Sequence, residues 1–241
     1  MGERLLGRIA LIVLIATVIA WHQNLIPSPA VASSSPSSTA IPSSAMINVP
    51  AQNEHPQLEN GCEIVSLSML LTAVGHPVDK TVLASELTYD PTPLVKNKNG
   101  QIVSWGNPNV GFVGSITNYS NGFGVYHGPI ASLLNKIMPN QAVDLTGDPI
   151  NEILGFVAAG RPVVMWTTFT FAPTTNWVSW SSPEGVVHTT LLEHAVLLVG
   201  YNQTTFFVNN PANGQQNEPV NRQNFIASWQ SLGSQAVTVA K

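Results

Sequence analysis

The spacing of apolar residues changes from helical to alternating along this 241-residue chain. Ile64, Leu67, Leu71 and Val74 recur at helical intervals, and Gly75 and Pro77 supply a stop. Asn60 and Glu63 stand in N-cap and N3 relation, a capping-box variant that puts Cys62 in the first turn of this helix. A shorter helix is expected over Asp79 to Leu87. A third is opened by Pro129 and runs through Ile130, Leu133, Leu134 and Ile137. Asp148-Pro149 caps a fourth through Ile153, Leu154 and Val157, stopped by Gly160 and Pro162. Residues 90–128 hold Gly, Asn, Pro and Ser without a sustained period and read as long loops. The character then turns to strand, at Pro162–Thr168, His194–Tyr201 and Thr204–Asn209, the last two forming a hairpin. A helix at Asn221–Trp229 and a strand at Ala236–Ala240 finish the pattern, and Ile47–Pro50 reads as a short edge strand. Helices first and antiparallel strands later predict an α+β fold.

The N-terminus departs from this plan. Arg4 and Arg8 precede an apolar run from Ile9 to Trp21, and Ala30-Val31-Ala32 offers a small-residue cleavage site, so residues 1–32 read as a signal peptide or N-terminal anchor. Residues 33–45 have the composition of a Ser/Pro-rich linker, leaving 46–241 as the domain. The protein is thus expected to be secreted or held on the extracellular face of the envelope, touching membrane only through an uncleaved first segment. Charged residues make up only 9% of the chain, nine basic against thirteen acidic, for a net charge of −4. Without a basic cluster there is no footprint for nucleic acid. So little surface charge limits self-repulsion when carboxylates protonate, which suits acidic surroundings.

The one cysteine, Cys62, has no partner for an intramolecular disulfide. At a helix N-terminus a thiol meets unpaired N–H groups and the positive end of the dipole, both of which favour thiolate. Such a nucleophile needs an imidazole and a group to orient it. Of six histidines, His22 lies beside the signal segment, His76 in a helix C-cap, His55 and His127 in loop or helix-opening positions, and His188 in a polar loop. His194 opens the most apolar strand, behind Glu193 and before the small Ala195. It follows Cys62 by 132 residues, and Asn210 follows it by 148, which matches one known Cys–His–Asn spacing of roughly 130–150. An odd hairpin loop would set Asn210 directly opposite His194, whereas a two-residue turn at Asn202-Gln203 would bring Asn209 to that face. Neither a Cys pair nor a His-x-x-x-His spacing occurs, so no metal and no organic cofactor is expected.

Several segments resemble one family in order: Asn48-Val49-Pro50, Pro56-x-Leu58-x-Asn60-Gly61-Cys62-Glu63, Ser66-Leu67-x-Met69, Trp105 to Pro108, Gly111 to Gly114, Gly124 to Ile130, His194-Ala195-Val196, Gly200-Tyr201 and Asn209-Asn210-Pro211. Together they are similar to the secreted bacterial double-glycine-peptidase-like branch of the papain-like cysteine peptidases. The resemblance implies a papain-like cysteine proteinase fold with the nucleophile helix in an N-terminal helical part and a C-terminal antiparallel sheet. It implies Cys62 as nucleophile, His194 as base and Asn210 as orienting residue, where the family usually has Asp. A Gln expected shortly before the nucleophile is replaced by Glu54, with Gln52 and Gln57 nearby as other oxyanion candidates. A charged Glu cannot donate a hydrogen bond, so Glu54 would serve only when protonated.

The expected activity is hydrolysis of peptide bonds through a Cys62 thioester, on a peptide or protein substrate, with cell-wall peptide as one candidate. An amidase or acyl transferase on cell-wall peptides would use the same triad, and a binding or adhesin module with an idle Cys62 stays open.

Overall fold

A computed structural model describes residues 41–240. The signal or anchor segment, His22 and the linker up to residue 40 lie outside the described residues. The observed class is α+β. Strand β1 (Ala45–Met46) pairs with a later strand at Tyr201 and Gly200. The last linker residue therefore lies in the sheet, and the expected strand at Ile47–Pro50 forms slightly earlier. Helix α1 (Cys62–Ala73) comes next, then α2 (Lys80–Glu86), whose N-cap Asp79 accepts the Thr81 N–H.

Helix α1 departs from its amphipathic reading. Cys62 through Leu71 are all buried, polar Glu63, Ser66 and Ser68 included. A helix enclosed on every side must satisfy its polar side chains internally. Ser68 Oγ does so by donating to Val78 O at 2.7 Å and accepting from Gln52 Nε2 at 3.1 Å.

The segment read as long loops carries five short strands: β2 (Tyr89–Asp90), β3 (Val95–Lys96), β4 (Ile102–Ser104), β5 (Phe112–Gly114) and β6 (Gly122–Gly124). Strands this short hold too few residues to show a period. Gly111 lets the chain lie against its neighbour, since a Cβ there would come within 2.7 Å of the Tyr89 carbonyl carbon.

Helix α3 (His127–Ile137) starts two residues before the expected Pro129. It is followed by β7 (Ala142–Asp144), α4 (Ile150–Ala158) and β8 (Val163–Thr168). Then come β9 (Val178–Ser182) and β10 (Gly185–Thr189), a hairpin that corrects the loop reading of His188. Strands β11 (Glu193–Tyr201), β12 (Thr205–Asn210) and β13 (Gln215–Asn221), helix α5 (Arg222–Ser231) and β14 (Ala236–Val239) complete the chain.

The main sheet runs β13-β12-β11-β8-β14-β7, with β1 added to β11. Its central strands are buried on both faces, and their side chains alternate between two cores. Val164, Trp166, Ala195, Leu197 and Val199 join the core with α1 and α3. Val163, Met165, Val196 and Leu198 join the core with α4 and α5. Two small sheets, β10-β9-β4-β3 and β2-β5-β6, complete the architecture. Trp105, Phe123 and Trp180 pack between them, with Trp180 5.2 Å from Phe123 and 5.7 Å from Trp105 between ring centroids.

Candidate active site

Cys62 heads α1 behind N-cap Gly61, which makes no side-chain cap. The expected capping box is absent. Asn60 instead donates to Ser115 O at 2.8 Å and Asn118 O at 2.9 Å, tying the helix entry to the small sheets. Glu63 turns inward, its Oε1 accepting the Val125 N–H at 2.7 Å. Cys62 Sγ accepts from the Ala195 N–H at 3.4 Å and donates to Glu63 Oε2 at 3.4 Å. The α1–β11 packing thus sets the thiol against the residue that follows His194.

Burial pushes the Cys62 thiol well above its ordinary value, and Glu63, Glu193 and Glu54 raise it further against the Ala195 N–H. The helix N-terminus was expected to favour thiolate. Enclosure beside three carboxyls outweighs it, and the resting thiol is neutral.

His194 is fully buried, and its Nε2 lies 2.9 Å from Asn210 Oδ1. The orientation of this amide is fixed by its other end, where Nδ2 donates to Glu218 Oε2 at 2.8 Å. The oxygen therefore faces the ring, Nε2 carries the proton, and Nδ1 presents a lone pair. That Nδ1 is buried with no hydrogen-bond partner among the described residues. Phe169, 44% exposed, stacks on the imidazole at 4.3 Å between centroids and shields the pair from solvent. Burial pushes His194 down to about 4, with Asn210 opposing.

The hairpin reaches this arrangement by an unexpected route. Tyr201 pairs with Phe206, leaving the even loop 202–205, but a bulge between Leu198 and Gly200 restores the other parity. Asn209 then pairs with Leu197 on the α1 face, where its Nδ2 holds Val49 O at 2.8 Å. Asn210 shares the face of His194, and the two meet diagonally rather than directly opposite.

The three oxyanion candidates separate clearly. Gln57 is exposed, and Gln52 is spent on Ser68. Glu54 is 3% exposed, lines the cleft with Cys62, and has Oε2 without a partner. Its backbone is anchored to the carbonyl of Pro211, beside Asn210, at 3.0 Å. Burial, then the charges of Glu63 and Glu59 against Lys80, push Glu54 up to about 8, so it is protonated at neutral pH. His55 stands 3.8 Å from its other oxygen.

The cleft encloses about 320 Å³ and is lined by Glu54, Cys62 and Glu193 together with Trp105, Phe123, Phe169 and Leu191. Cys62, Glu63 and Glu193 place donor atoms within 4.8 Å of one another. That spacing alone would admit a cation, but a cation there would tie up the thiol. His188 belongs elsewhere, its Nδ1 2.8 Å from Ser179 Oγ under the stacked Trp177. His127 pairs with Asp144 at 2.6 Å.

Three groups escaped the sequence reading. Glu218 lies on an unpredicted strand, and Phe169 sits just past a predicted one. Glu193 adjoins His194 in sequence, where the apolar run that follows hid its burial.

The α+β fold thus sets a helix-borne thiol against the residue that follows a strand-borne imidazole, which an asparagine amide holds in turn. A model of the Peptidase_C39-like family matches residues 46–237, and the chain belongs to that family. It is 36% identical over 190 residues to the uncharacterized protein YvpB of Bacillus subtilis strain 168, covering 79% of this chain and 73% of that one. It is also similar to the crystal structure of a candidate C39-like peptidase from Bacillus anthracis. That match has a TM-score of 0.75 and 40% identity, and covers 82% of this chain and 98% of the other.

Proposed function

We propose that the protein is a cysteine peptidase exported from the cell, in which Cys62 attacks the peptide carbonyl and His194 moves the proton. The observation that carries this reading is the imidazole held by Asn210 at 2.9 Å with its Nδ1 free, next in sequence to the residue touching the thiol.

In the resting site both partners are neutral, so the thiol loses its proton to His194 Nδ1 as sulfur bonds to the carbonyl carbon. The negative oxygen of the tetrahedral intermediate is met by the Cys62 N–H, one of the first helix donors without a partner inside the helix. The protonated Glu54 supplies a second donor in place of an amide. The imidazolium then protonates the departing amine, leaving a Cys62 thioester for water to hydrolyse.

Such a site works between the protonation of His194, near pH 4, and the ionisation of Glu54, near pH 8. Apolar Trp105, Phe123, Phe169 and Leu191 along the cleft fit bulky apolar side chains of a peptide. The test is hydrolysis of a peptide library by wild type, C62A, H194A and H188A. Activity should vanish in C62A, fall at least about a thousandfold in H194A, and persist in H188A. Hydrolysis by C62A at the wild-type rate would remove the reading.

A further inference from the structure

Glu63 and Glu193 have no part in the steps above, yet both pack against the nucleophile. Glu63 is 0% and Glu193 5% exposed, and each places a carboxyl oxygen within 4.8 Å of Cys62 Sγ and of the other. Gly124 closes over them, since a Cβ there would lie 2.4 Å from Glu63 Oε1 and 3.0 Å from Glu193 Oε2. Among the described residues no cation pairs with either carboxyl; the ion pairs are His55 with Glu54 and Glu59, His127 with Asp144, and Lys136 with Glu86.

Hydrogen bonds divide the two groups. Glu63 receives the Val125 N–H and the Cys62 S–H. Both oxygens of Glu193 have no partner. Two carboxylates enclosed this closely, without a cation, do not both ionise near neutral pH, so Glu63, which receives two hydrogen bonds, takes the first charge and Glu193 keeps the proton. The other titratable groups near the pair are Glu54, Cys62, His194 and Tyr126. The Tyr126 hydroxyl is engaged with Thr189 Oγ1 at 2.6 Å. Burial raises both carboxyls above the ordinary range, Glu193 further through the charges of Glu63 and Glu54.

We propose that Glu63 and Glu193 form a proton-sharing pair that governs Cys62. While the pair holds its proton, the thiol proton can be given up to His194. Once both carboxyls are charged, they keep the thiol protonated and bound to Glu63, which confines the site to acidic and near-neutral surroundings. Both are positioning residues, acting through the nucleophile. That consequence for catalysis rests on the peptidase reading, whereas control of the thiol does not.

The test therefore uses no substrate. Alkylation of Cys62 by iodoacetamide is followed by mass spectrometry from pH 4 to 10 in wild type, E193Q, E63Q and the surface control E86Q. E193Q keeps the shape of the side chain and removes one charge, and should lower the midpoint of alkylation by at least about one pH unit. That is about tenfold faster labelling at pH 8. E63Q should shift it in the same direction, and E86Q should leave it in place. Superimposable profiles for folded E193Q, E63Q and wild type would overturn the proposal.

Should neither variant fold, carbon-13 titration of Glu-labelled wild type decides. Glu54 and one member of the pair should leave at least two Glu carboxyls protonated at pH 6, and one or none would overturn the pair. A shifted alkylation profile without any peptide hydrolysis would retire the peptidase reading and leave the pair standing. Hydrolysis with an unshifted profile would do the reverse.

Discussion

The two sides of the cleft treat their polar groups differently. On the imidazole side, each group hands a hydrogen bond to the next, from His194 Nε2 to Asn210 Oδ1 and from Asn210 Nδ2 to Glu218. One lone pair, on Nδ1, is left over and available to move a proton. On the thiol side, Glu54, Glu63 and Glu193 together offer more acceptor oxygens than the surrounding donors can fill. Glu54 Oε2 and both oxygens of Glu193 are left without partners, and enclosure keeps protons on these two carboxyls. The first side fixes a geometry and the second fixes a protonation state. A buried polar network that is complete specifies orientation, whereas an incomplete one makes the site sensitive to pH.

If Glu54 acts as a protonated donor, replacing it separates charge from hydrogen bonding. E54A should lose about a hundredfold or more in kcat at pH 6, the usual cost of an oxyanion donor. E54Q, which still donates, should stay within about twofold there and lose less activity than wild type on approach to pH 8, where wild-type Glu54 ionises, leaving the limit set by the Glu63–Glu193 pair. Equal losses in both variants would assign Glu54 a structural role.

The imidazole side can be broken one asparagine at a time. N210A releases the ring and should lower kcat about tenfold, roughly the loss of one hydrogen bond of 1–1.5 kcal/mol, with a small change in Tm. N209A removes the tie to Val49 O and to the Asn217 N–H. It should lower Tm while leaving kcat nearly unchanged. The opposite pattern would mean that Asn209 orients the ring.

The smallest effect is in stability, where the two sides carry opposite signs. The folded chain keeps a proton on Glu54 up to about 8, whereas the unfolded chain releases it near 4.5. Glu63 and Glu193 are raised in the same sense, so these carboxyls favour the folded state in acid and lose that contribution as pH rises. His194, lowered from 6.5 to about 4, works the other way, gaining stability with rising pH across that window. The protons held by Glu54 and by the Glu63–Glu193 pair outweigh one imidazole, so Tm should fall by roughly 5 °C or more between pH 5 and pH 8. E54Q should flatten the curve, and a Tm rising over this range would mean that the carboxyls are not enclosed as described.

The long periodic elements were legible in the chain. Helices α2, α4 and α5 and strands β8, β11 and β12 lie within two residues of where their patterns placed them. The short strands β2 to β6 were not, because two or three residues cannot show alternation, and their pairing depends on glycines that allow close approach. The approach of Asn210 to His194 depended on a bulge at Val199, inside β11 beside Gly200, whereas the pattern places the irregularity in an odd hairpin loop. The carboxyl cluster was hidden for a different reason. Glu63 reads as a helix-capping residue and Glu193 as a polar strand opening, and only the packing of α1 on β11 makes neighbours of residues so far apart in sequence.

The central claim is that Cys62 forms a covalent acyl intermediate with a peptide. The direct measurement is to mix the protein with a peptide library at pH 6, quench in acid and map adducts by mass spectrometry. The account predicts a peptide acyl group on Cys62 in wild type, with the mass of a substrate fragment less water, and none in C62A or H194A. Peptide hydrolysis with no adduct on Cys62, or hydrolysis that persists in C62A, would contradict it.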